Sequence, residues 1–463
     1  MALERGERGG GRGGGGGGDG ARLGAVLDVL RAVEGPFAFV FYDAVAGAVV
    51  FGRDRLGRRS LVMREGEAGG LELCSVAGMM GGGGEMWREV EADGIYVLRL
   101  GGVGETMTRY DWVVGDDAGD FVSGIGRFNK SLPSTKCALT ASSPSVALLK
   151  QQLLESLSLR ILNIPTPPAA DGKTLVAVLF SGGLDCTVLA RLAHDVLDPD
   201  HGIDLLNVAF ENPRVVAQLQ KASNGNPLDF YEACPDRITG RKSFAELCKV
   251  CPGRAFRFVA VNVPYAETQE HRQQVISLIH PHNTEMDLSI AFALYFAARG
   301  QGLCTESVTA SAPAVPYTSP ARVLLSGLGA DELFGGYSRH PSAFQHRGYR
   351  GLVDELLLDV GRLGKRNLGR DDRVMAHWGK EVRFPFLDER LVRWAIETPA
   401  WEKCDFENGE ELTDLEPGKR VLRLLALELG MKGVAKEKKR AIQFGSRTAK
   451  MESGRVKGTT LIS

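Results

Sequence analysis

The feature that most constrains the fold is a short apolar segment that ends in a serine and two glycines. Residues 175–180 are all apolar and predict a strand buried on both faces of a parallel sheet. Ser-Gly-Gly-Leu-Asp follows at 181–185, and apolar side chains then recur at helical spacing over 188–196. A strand, a glycine-rich loop and a helix N-terminus together can cradle an anion such as a phosphate. An ordinary strand-to-helix turn is the alternative interpretation, since Gly-Gly turns are common.

Two widespread phosphate-binding patterns do not fit this chain. The tripeptide at 172–174 is Gly-Lys-Thr, but position 167 is proline where GxxxxGK[ST] requires glycine, and a strand follows instead of a helix. The dinucleotide pattern GxGxxG is also absent after the strand at 175–180. The loop therefore predicts a different phosphate site, in which Asp185 is suitably placed to hold Mg²⁺ against the phosphates.

Changes in composition along the 463 residues predict four segments. Eleven of the first twenty residues are glycine, so 1–20 is predicted to be disordered because glycine supplies no side chain for a core. Residues 21–125 are predicted to form a β-rich unit, and the polar stretch 126–145 a linker. Over 146–455, strand and helix patterns alternate, which predicts an α/β domain with a parallel sheet flanked by helices.

Strand patterns support this division. Within the β-rich unit, apolar and aromatic runs at 37–41 and 48–51 flank a turn at 45–47, which is typical of a hairpin. Further strands are predicted there at 71–76 and 95–100. In the α/β domain the predicted strands are 175–180, 205–210, 256–263 and 323–326.

Bulk composition excludes several classes of partner. The formal net charge is −1, so no global electrostatic attraction to nucleic acid or to a membrane surface is expected. We find neither an apolar run long enough to span a bilayer nor a secretory signal pattern. Eight cysteines in a chain of this length do not suggest a disulfide scaffold, and a reducing, cytoplasmic location is predicted.

A second glycine-rich loop follows the predicted strand at 323–326. Gly-Leu-Gly at 327–329 leads into Asp331 and Glu332. Two carboxylates after such a turn suit magnesium and pyrophosphate binding, although acidic residues also favour the first turn of any helix. Because ligands of parallel sheets bind beyond the carboxyl ends of the strands, we expect this loop and the loop at 181–185 to face one cleft.

Basic residues near the C-terminus have two interpretations each. Arg383 is suited to clamp a carboxylate, and equally suited to pair with Glu381 or Asp388. Lys439 and Arg440 either close over phosphate charge or lie on a solvated turn.

Taken in order, these segments resemble the glutamine-dependent asparagine synthetase family. The resemblance implies an adenine-nucleotide α-hydrolase-like α/β fold in which ATP and Mg²⁺ are used to adenylate the side-chain carboxylate of aspartate. Ammonia then attacks the adenylate, giving asparagine, AMP and pyrophosphate. The match covers about 146 to 451, more weakly also 33–61, and rests on residues 181–185, 204–210, 235–241, 327–332, 366–373, 383–388 and 439–447.

The resemblance also implies roles for particular residues, which fall into four groups. The nucleotide and its pyrophosphate are assigned to Phe180, Ser181, Gly182, Gly183, Leu184, Asp185, Ser326, Gly327 and Gly329. The magnesium ion is assigned to Asp185 and Asp331, and the catalytic roles to Asp331, Glu332, Arg383, Lys439 and Arg440. The substrate is assigned to Asp287 and Arg373.

Two substitutions depart from the family pattern within the loops. Leu328 stands where the family has a glutamate thought to assist the attack by ammonia, and leucine neither accepts a proton nor binds an ammonium ion. Cys186 stands where a serine is usual, a milder change. A nucleotide-binding pseudoenzyme with a regulatory or interaction role is therefore the alternative to a ligase.

The front of the chain departs further. The family begins with an NTN-hydrolase-type glutaminase domain whose nucleophile is a cysteine directly after the initiator methionine, and here position 2 is alanine. The first cysteine is Cys74. We therefore expect a partial glutaminase-like unit over 21–125 without glutamine hydrolysis. Ammonia would then come from solution or from a partner, and a homodimer is a further possibility.

Overall fold

The computed structural model describes residues 17–66, 70–77, 86–100, 107–115, 119, 121–135, 138–165, 173–222, 229–306, 313–365, 367–408, 414–451 and 457–462. The segment predicted to be disordered is 1–20, and its residues 1–16 lie outside these ranges. Its last four residues, 17–20, begin a helix, α1 (Gly17–Ala32).

The N-terminal part of the chain is β-rich, as predicted. Its strands are β1 (Ala38–Asp43), β2 (Ala48–Arg53), β3 (Val62–Glu65), β4 (Leu71–Cys74), β5 (Arg88–Glu89), β6 (Ile95–Arg99), β7 (Met107–Tyr110), β8 (Phe121–Val122) and β9 (Gly126–Arg127). They form an antiparallel sheet in the order β1-β2-β6-β7, a smaller sheet β4-β3-β5 and the pair β8-β9.

Helix α1 covers one face of the four-stranded sheet. Val26 and Leu27 of the helix are buried in one apolar cluster with Val50, Val97 and Trp112. The predicted hairpin is confirmed: β1 and β2 pair antiparallel in a register that places Phe41 opposite Val50. Strand β2 is buried over most of its length, because Val50 packs in the cluster with the helix and Phe51 packs in a second apolar cluster.

The rest of the chain is α/β. Its helices are α2 (Pro144–Ile161), α3 (Leu184–Val196), α4 (Pro213–Ala222), α5 (Pro235–Val250), α6 (Tyr265–Glu270), α7 (Arg272–Ile279), α8 (Glu285–Arg299), α9 (Ala330–Phe334), α10 (Arg339–Val360), α11 (Leu368–Ala376), α12 (Glu389–Glu397), α13 (Arg420–Glu428), α14 (Lys432–Ala435) and α15 (Ile442–Gly445). Short 3₁₀ helices lie at Leu363–Lys365, Pro385–Leu387 and Ala400–Glu402. Across the described ranges, the helices are all too short or too polar to cross a bilayer.

The central sheet has seven strands in the order β14-β13-β12-β11-β10-β15-β16. The five strands from β12 to β16 in that order run parallel, and β13 and β14 are antiparallel additions at one edge. Their bounds are β10 (Val176–Leu179), β11 (Ile203–Phe210), β12 (Phe256–Val263), β13 (Gln301–Thr305), β14 (Val315–Thr318), β15 (Val323–Leu325) and β16 (Glu381–Arg383).

The parallel part of the sheet confirms the strand predictions made from apolar runs. All eight residues of β11 are buried, as expected for a strand that helices cover on both sides. Strands β10 and β15 are neighbours, so the loops that follow them leave the sheet side by side. The fold therefore places the two glycine-rich loops at one edge, where ligands of such sheets bind.

Buried ion pairs join the N-terminal sheets to the α/β part. Arg58, which is 1% exposed, contacts Asp54 at 2.9 Å and both carboxylate oxygens of Glu389 at the start of α12. Its guanidinium also donates to the carbonyl of Leu387 at 2.7 Å. The residues that link the two parts are therefore structural, since they are enclosed on all sides.

Candidate functional site

The loop after β10 depends on glycine for its shape. Gly182 has φ +81°, and a Cβ there would lie 2.4 Å from the backbone nitrogen of Gly240 in α5. Ser243 of the same helix donates to the Gly182 carbonyl at 2.6 Å. The side-chain amide of Asn207 donates to the Phe180 carbonyl at 2.8 Å. Both the left-handed backbone and the close approach to α5 therefore require glycine at position 182.

The loop after β15 meets this first loop directly. A Cβ on Gly327 would lie 2.9 Å from Cβ of Asp185, so the two chains touch through a glycine. Gly329 has φ +105° and precedes helix α9, which carries Asp331 and Glu332 in its first turn. The structure thus brings the two predicted loops together at one cleft.

A buried lysine joins the two acidic groups. The ammonium of Lys419 lies 2.6 Å from Oδ2 of Asp185 and 2.8 Å from Oδ1 of Asp331. Lys419 is 4% exposed and has a left-handed backbone with φ +54°. Gly336 makes room for the group: a Cβ there would fall 2.0 Å from Asp331 Oδ1 and 2.2 Å from Lys419 Cε. The two loops are therefore held against each other by one enclosed ammonium.

Electrostatics in this group follow from burial and mutual charge. Burial raises the pKa of Asp185 above its ordinary value, against the opposing charge of Lys419. For Asp331 burial acts the same way, but Lys419 and Lys439 together hold its pKa below its ordinary value. Burial would lower the pKa of Lys419, yet the two carboxylates raise it, so the ammonium stays charged at neutral pH.

Lys439 and Tyr337 close the acidic side. The ammonium of Lys439 lies 3.6 Å from Oδ2 of Asp331 and 4.4 Å from the centre of the Tyr337 ring. The hydroxyl of Tyr337 donates to Glu332 at 2.5 Å. Burial and the neighbouring charge of Asp331 raise the pKa of Glu332.

Arg440 lies on a different acid from Lys439. Its guanidinium is 3.5 Å from Oδ1 of Asp236 and 3.4 Å from the hydroxyl of Thr239, both at the start of α5. Burial raises the pKa of Asp236 to about 7, and Arg440 opposes the rise. Gly445 packs on this carboxylate so tightly that a Cβ there would lie 2.0 Å from Oδ1. The sequence did not distinguish the roles of Lys439 and Arg440. In the structure the two side chains contact different carboxylates.

Two residues that the sequence assigned to catalysis or substrate form ion pairs with other protein side chains. Arg383 pairs with Glu381, at 3.1 Å, and donates to the Arg160 carbonyl, which matches the ion-pair interpretation of its sequence position. Asp287 pairs with Arg370 at 2.5 Å, and its backbone amide donates to the hydroxyl of Thr284, which caps α8.

Arg373 is a correction to the sequence prediction of a substrate contact. It is fully enclosed and donates to the carbonyls of Leu278 and Ile279, to the hydroxyl of Ser60 and to Glu89. A buried guanidinium with these four protein partners joins α7 to Ser60 and Glu89 of the N-terminal part.

The other loop residues are structural supports. The rings of Phe180 and Phe258 pack edge to face within the core, and Leu184 is buried. The Ser326 hydroxyl accepts from the Leu328 amide at 3.3 Å. Leu328 is half-buried against the main core. Burial raises the pKa of the Cys186 thiol, which lies 3.6 Å from the Ser181 hydroxyl.

The carboxylates fit a magnesium ion only in company with other oxygen donors. Oδ1 of Asp185 is buried and has no hydrogen-bond partner among the described residues, which suits a ligand for a hard cation. Within the described part of the chain, three or more His, Cys, Asp or Glu side chains nowhere converge as a metal site. Mg²⁺ typically takes one or two carboxylates and completes its shell with phosphate oxygens and water.

Sequence reasoning did not identify three members of this site: Lys419, Asp236 and Tyr337. Lys419 follows a Pro-Gly pair and precedes the apolar helix α13, which is a turn signal without chemistry of its own. Its partners lie 234 and 88 residues away, and only the fold shows that they meet.

Comparison with known proteins places this arrangement in a class. The family model described as asparagine synthase matches residues 342–459. Asparagine synthetase domain-containing protein 1 of Mus musculus is 34% identical, with 94% of this chain and 81% of that protein covered. The same protein of Homo sapiens is also 34% identical, with coverage of 92% and 79%.

A fungal relative extends the comparison. Asparagine synthetase domain-containing protein YML096W of Saccharomyces cerevisiae is 34% identical over 94% of this chain and 75% of that protein. The chain belongs to the asparagine synthase family, among its asparagine synthetase domain-containing proteins.

Proposed function

We propose that this chain is an ATP-dependent ligase that activates the side-chain carboxylate of aspartate as an acyl-adenylate and transfers the acyl group to ammonia. Membership of the asparagine synthase family supports a ligase that uses ATP. The observation that carries the proposal is the contact of Lys419 with both Asp185 and Asp331, because it sets the anion-binding loop opposite the acidic helix start.

The reaction balances in two steps. A carboxylate oxygen of aspartate attacks the α-phosphorus of ATP, the bond to the bridging oxygen breaks, and pyrophosphate leaves. Ammonia then attacks the acyl carbon of the aspartyl-adenylate and loses a proton, the bond to the AMP oxygen breaks, and asparagine and AMP form. One oxygen of the original carboxylate therefore leaves on AMP.

The residues have separate tasks in this proposal. The loop at 181–185, with its backbone amides at the start of α3, binds the pyrophosphate part of the nucleotide, as in the pyrophosphate-binding loop of the family. Lys439 faces Asp331 and is placed to balance charge on the phosphates. Lys419 is a positioning residue, since it is enclosed by the two carboxylates.

Magnesium, when bound, would screen the charge of the phosphates. Asp185 would hold it through the oxygen that lacks a partner among the described residues, and Asp331 would support it. The ammonium of Lys419 keeps both carboxylates oriented toward this position.

The test combines pyrophosphate release with an isotope label. The full chain is incubated with ATP, Mg²⁺, ammonium chloride and aspartate labelled with ¹⁸O in its side-chain carboxylate. Release that requires aspartate, with label appearing in AMP, supports the proposal, and unlabelled AMP contradicts it. Asp185→Asn should abolish release, whereas Asp200→Asn, an exposed surface change, should not.

A pseudoenzyme that binds nucleotide without turnover is the second candidate, favoured by Leu328. If the missing carboxylate limits the reaction, Leu328→Glu should raise aspartate- and ammonia-dependent pyrophosphate release by about 10²-fold or more. Leu328→Gln is the matched control because it has similar size and no charge. No gain with glutamate would contradict this explanation. Tight ATP binding without release in all variants would favour the pseudoenzyme.

The N-terminal sheets are proposed to be a partial glutaminase-like unit without glutaminase activity. Burial raises the pKa of the Cys74 thiol, whose hydrogen goes to the Val76 carbonyl at 3.3 Å, so a reactive thiolate is not favoured there. Ammonia is therefore proposed to come from solution or from a partner protein, and a homodimer is a separate possibility for the assembly of the chain.

A further inference from the structure

A cavity separate from the acidic cluster lies between α8, α15 and the C-terminal segment. Its volume is about 260 Å³, and part of its wall comes from α6 and α7, which follow β12. The segment near 458–461 closes one side, since Thr284 and Leu461 form an isolated β-bridge. The residues assigned above to nucleotide and metal do not line it.

The walls of this cavity are apolar to an unusual degree for exposed surface. Phe444 is 56% exposed and Met286 is 45% exposed, and both line the cavity. Leu288, Phe292 and Met451 also line it and are themselves buried in the core, and polar side chains including Thr268, Gln443 and Thr448 line other parts. Small-molecule pockets typically combine apolar walls with polar groups that orient the ligand.

The charged groups around the cavity favour an anion. Among the described residues that line it, three are basic, Arg272, Lys450 and Lys457, and one is acidic, Glu285. The first amides of α8 are already bonded, since Glu285 and Met286 donate to backbone carbonyls of the C-terminal segment at 2.9 Å each. Attraction for an anion therefore comes from the basic side chains and not from the helix N-terminus.

We propose that this cavity binds a small amphipathic anion, a carboxylate or sulfonate attached to an aromatic or branched aliphatic body. The apolar body would lie against Phe444 and Met286, and the acid group would lie toward Lys450 and Lys457. This site is independent of the proposed ligase reaction.

The cavity adjoins Asp236 through α15. Gln443 and Phe444 line the cavity, and the next residue, Gly445, packs on Asp236, which also contacts Arg440. A ligand on Phe444 would therefore hold the short helix that positions this carboxylate. Binding should slow amide exchange in α8 and α15 together.

The test uses anilinonaphthalene sulfonate, a fluorescent aromatic anion, titrated into the full chain. We expect one saturable site per chain. Ser289→Phe, which fills the cavity from α8, and Phe444→Ser, which removes its exposed wall, should each weaken binding by at least about tenfold. Lys450→Glu should weaken it by about threefold or more. Val40→Ser, which changes an equally exposed apolar residue on β1, should leave binding unchanged.

Circular dichroism confirms the fold of each variant, and hydrogen exchange of the unsubstituted chain gives a result that depends on no variant. Slower exchange in α8 and α15 when the probe saturates supports the proposal. Unchanged exchange in these helices would overturn it. Binding by the folded Ser289→Phe and Phe444→Ser chains that is as tight as binding by the unsubstituted chain would also overturn it. Equal weakening by Val40→Ser would show surface adsorption and would overturn it as well.

Discussion

At the scale of single residues, the site depends on charged side chains that are buried or half-buried. Lys419 is buried between Asp185 and Asp331, whose side chains are 23% and 19% exposed, and the buried ammonium is tolerated because both carboxylates are present. Gly336 is the steric condition for this arrangement, because a side chain there would occupy the same space as the ion pair. The same logic applies to Asp236, whose only charged neighbour within 4 Å among the described residues is Arg440.

Removal of the Lys419 charge should be costly. In Lys419→Met two carboxylates lose their common partner, and we expect the free energy of unfolding in urea to fall by about 3–5 kcal/mol. Lys436→Met is the matched control because it removes an exposed pair with Asp414, and it should change stability by less than about 1 kcal/mol. Equal effects of the two substitutions would contradict a buried cluster.

Asp236 should make stability depend on pH. Its pKa is raised to about 7, so the folded chain keeps a proton that the unfolded chain has released above about pH 4. Stability should therefore fall as pH rises from about 4 to about 7. Asp236→Asn removes this slope, and its stability relative to the parent should improve between pH 5 and pH 8 by at most about 3 kcal/mol. Parallel urea-unfolding profiles for the two chains would contradict the shifted titration.

At the scale of elements, the sequence predicts the interior better than the edges. Strands β10 and β15 are continuous apolar runs, β11 and β12 are mostly apolar, and all four lie where they were predicted. Strands β13, β14 and β16 were not identified, because they are short and partly exposed, and β14 contains a proline. An edge strand lacks the two-sided burial that produces an apolar run.

The candidate site shows the same division. The two loops were predicted because each follows an apolar strand and contains glycines that are visible in the local sequence. Lys419 was not predicted because nothing in the residues around it refers to Asp185 or Asp331. Likewise the assignment of Arg373 to a substrate failed because a fully enclosed arginine and a ligand-binding arginine have the same sequence signature.

The loop after β10 offers a paired test of steric fit. Gly182→Ala introduces a Cβ at 2.4 Å from the backbone of Gly240, in addition to the strain of φ +81°. Gly253→Ala has nearly the same φ, +85°, with nothing within 4 Å of its Cβ. We expect Gly253→Ala to cost about 1–3 kcal/mol and Gly182→Ala at least about 2 kcal/mol more in urea unfolding, with loss of ATP binding. Similar costs would show that α5 does not press on the loop.

At the scale of the whole molecule, two sheet systems are joined by charged residues that water does not reach. Arg58 is enclosed with Asp54 and Glu389, and Glu89 of β5 receives both Arg53 and Arg373. Such pairs contribute little net stability compared with apolar contacts, but breaking one partner leaves a buried charge. The junction is therefore specific and sensitive to single substitutions.

Arg58→Met tests the junction. We expect the free energy of unfolding to fall by about 3–5 kcal/mol and the N-terminal sheets to become susceptible to limited proteolysis before the α/β part. Arg88→Met is the control, since Arg88 and Glu65 are both more than half exposed at 3.5 Å, and it should change stability by about 0.5 kcal/mol or less. Simultaneous cleavage of both parts would contradict the prediction that the N-terminal sheets detach before the α/β part unfolds.

The enclosure of Arg373 also bears on how inherited or engineered variants of this chain are interpreted. A substitution at that position would lower every measured activity together, whichever acid or nucleotide is supplied, because it frees Glu89 and Ser60 instead of a ligand. Higher substrate concentration would not restore such a variant, whereas a lower growth temperature would. A phenotype of that kind reports on the assembly of the molecule and says nothing about its choice of acceptor.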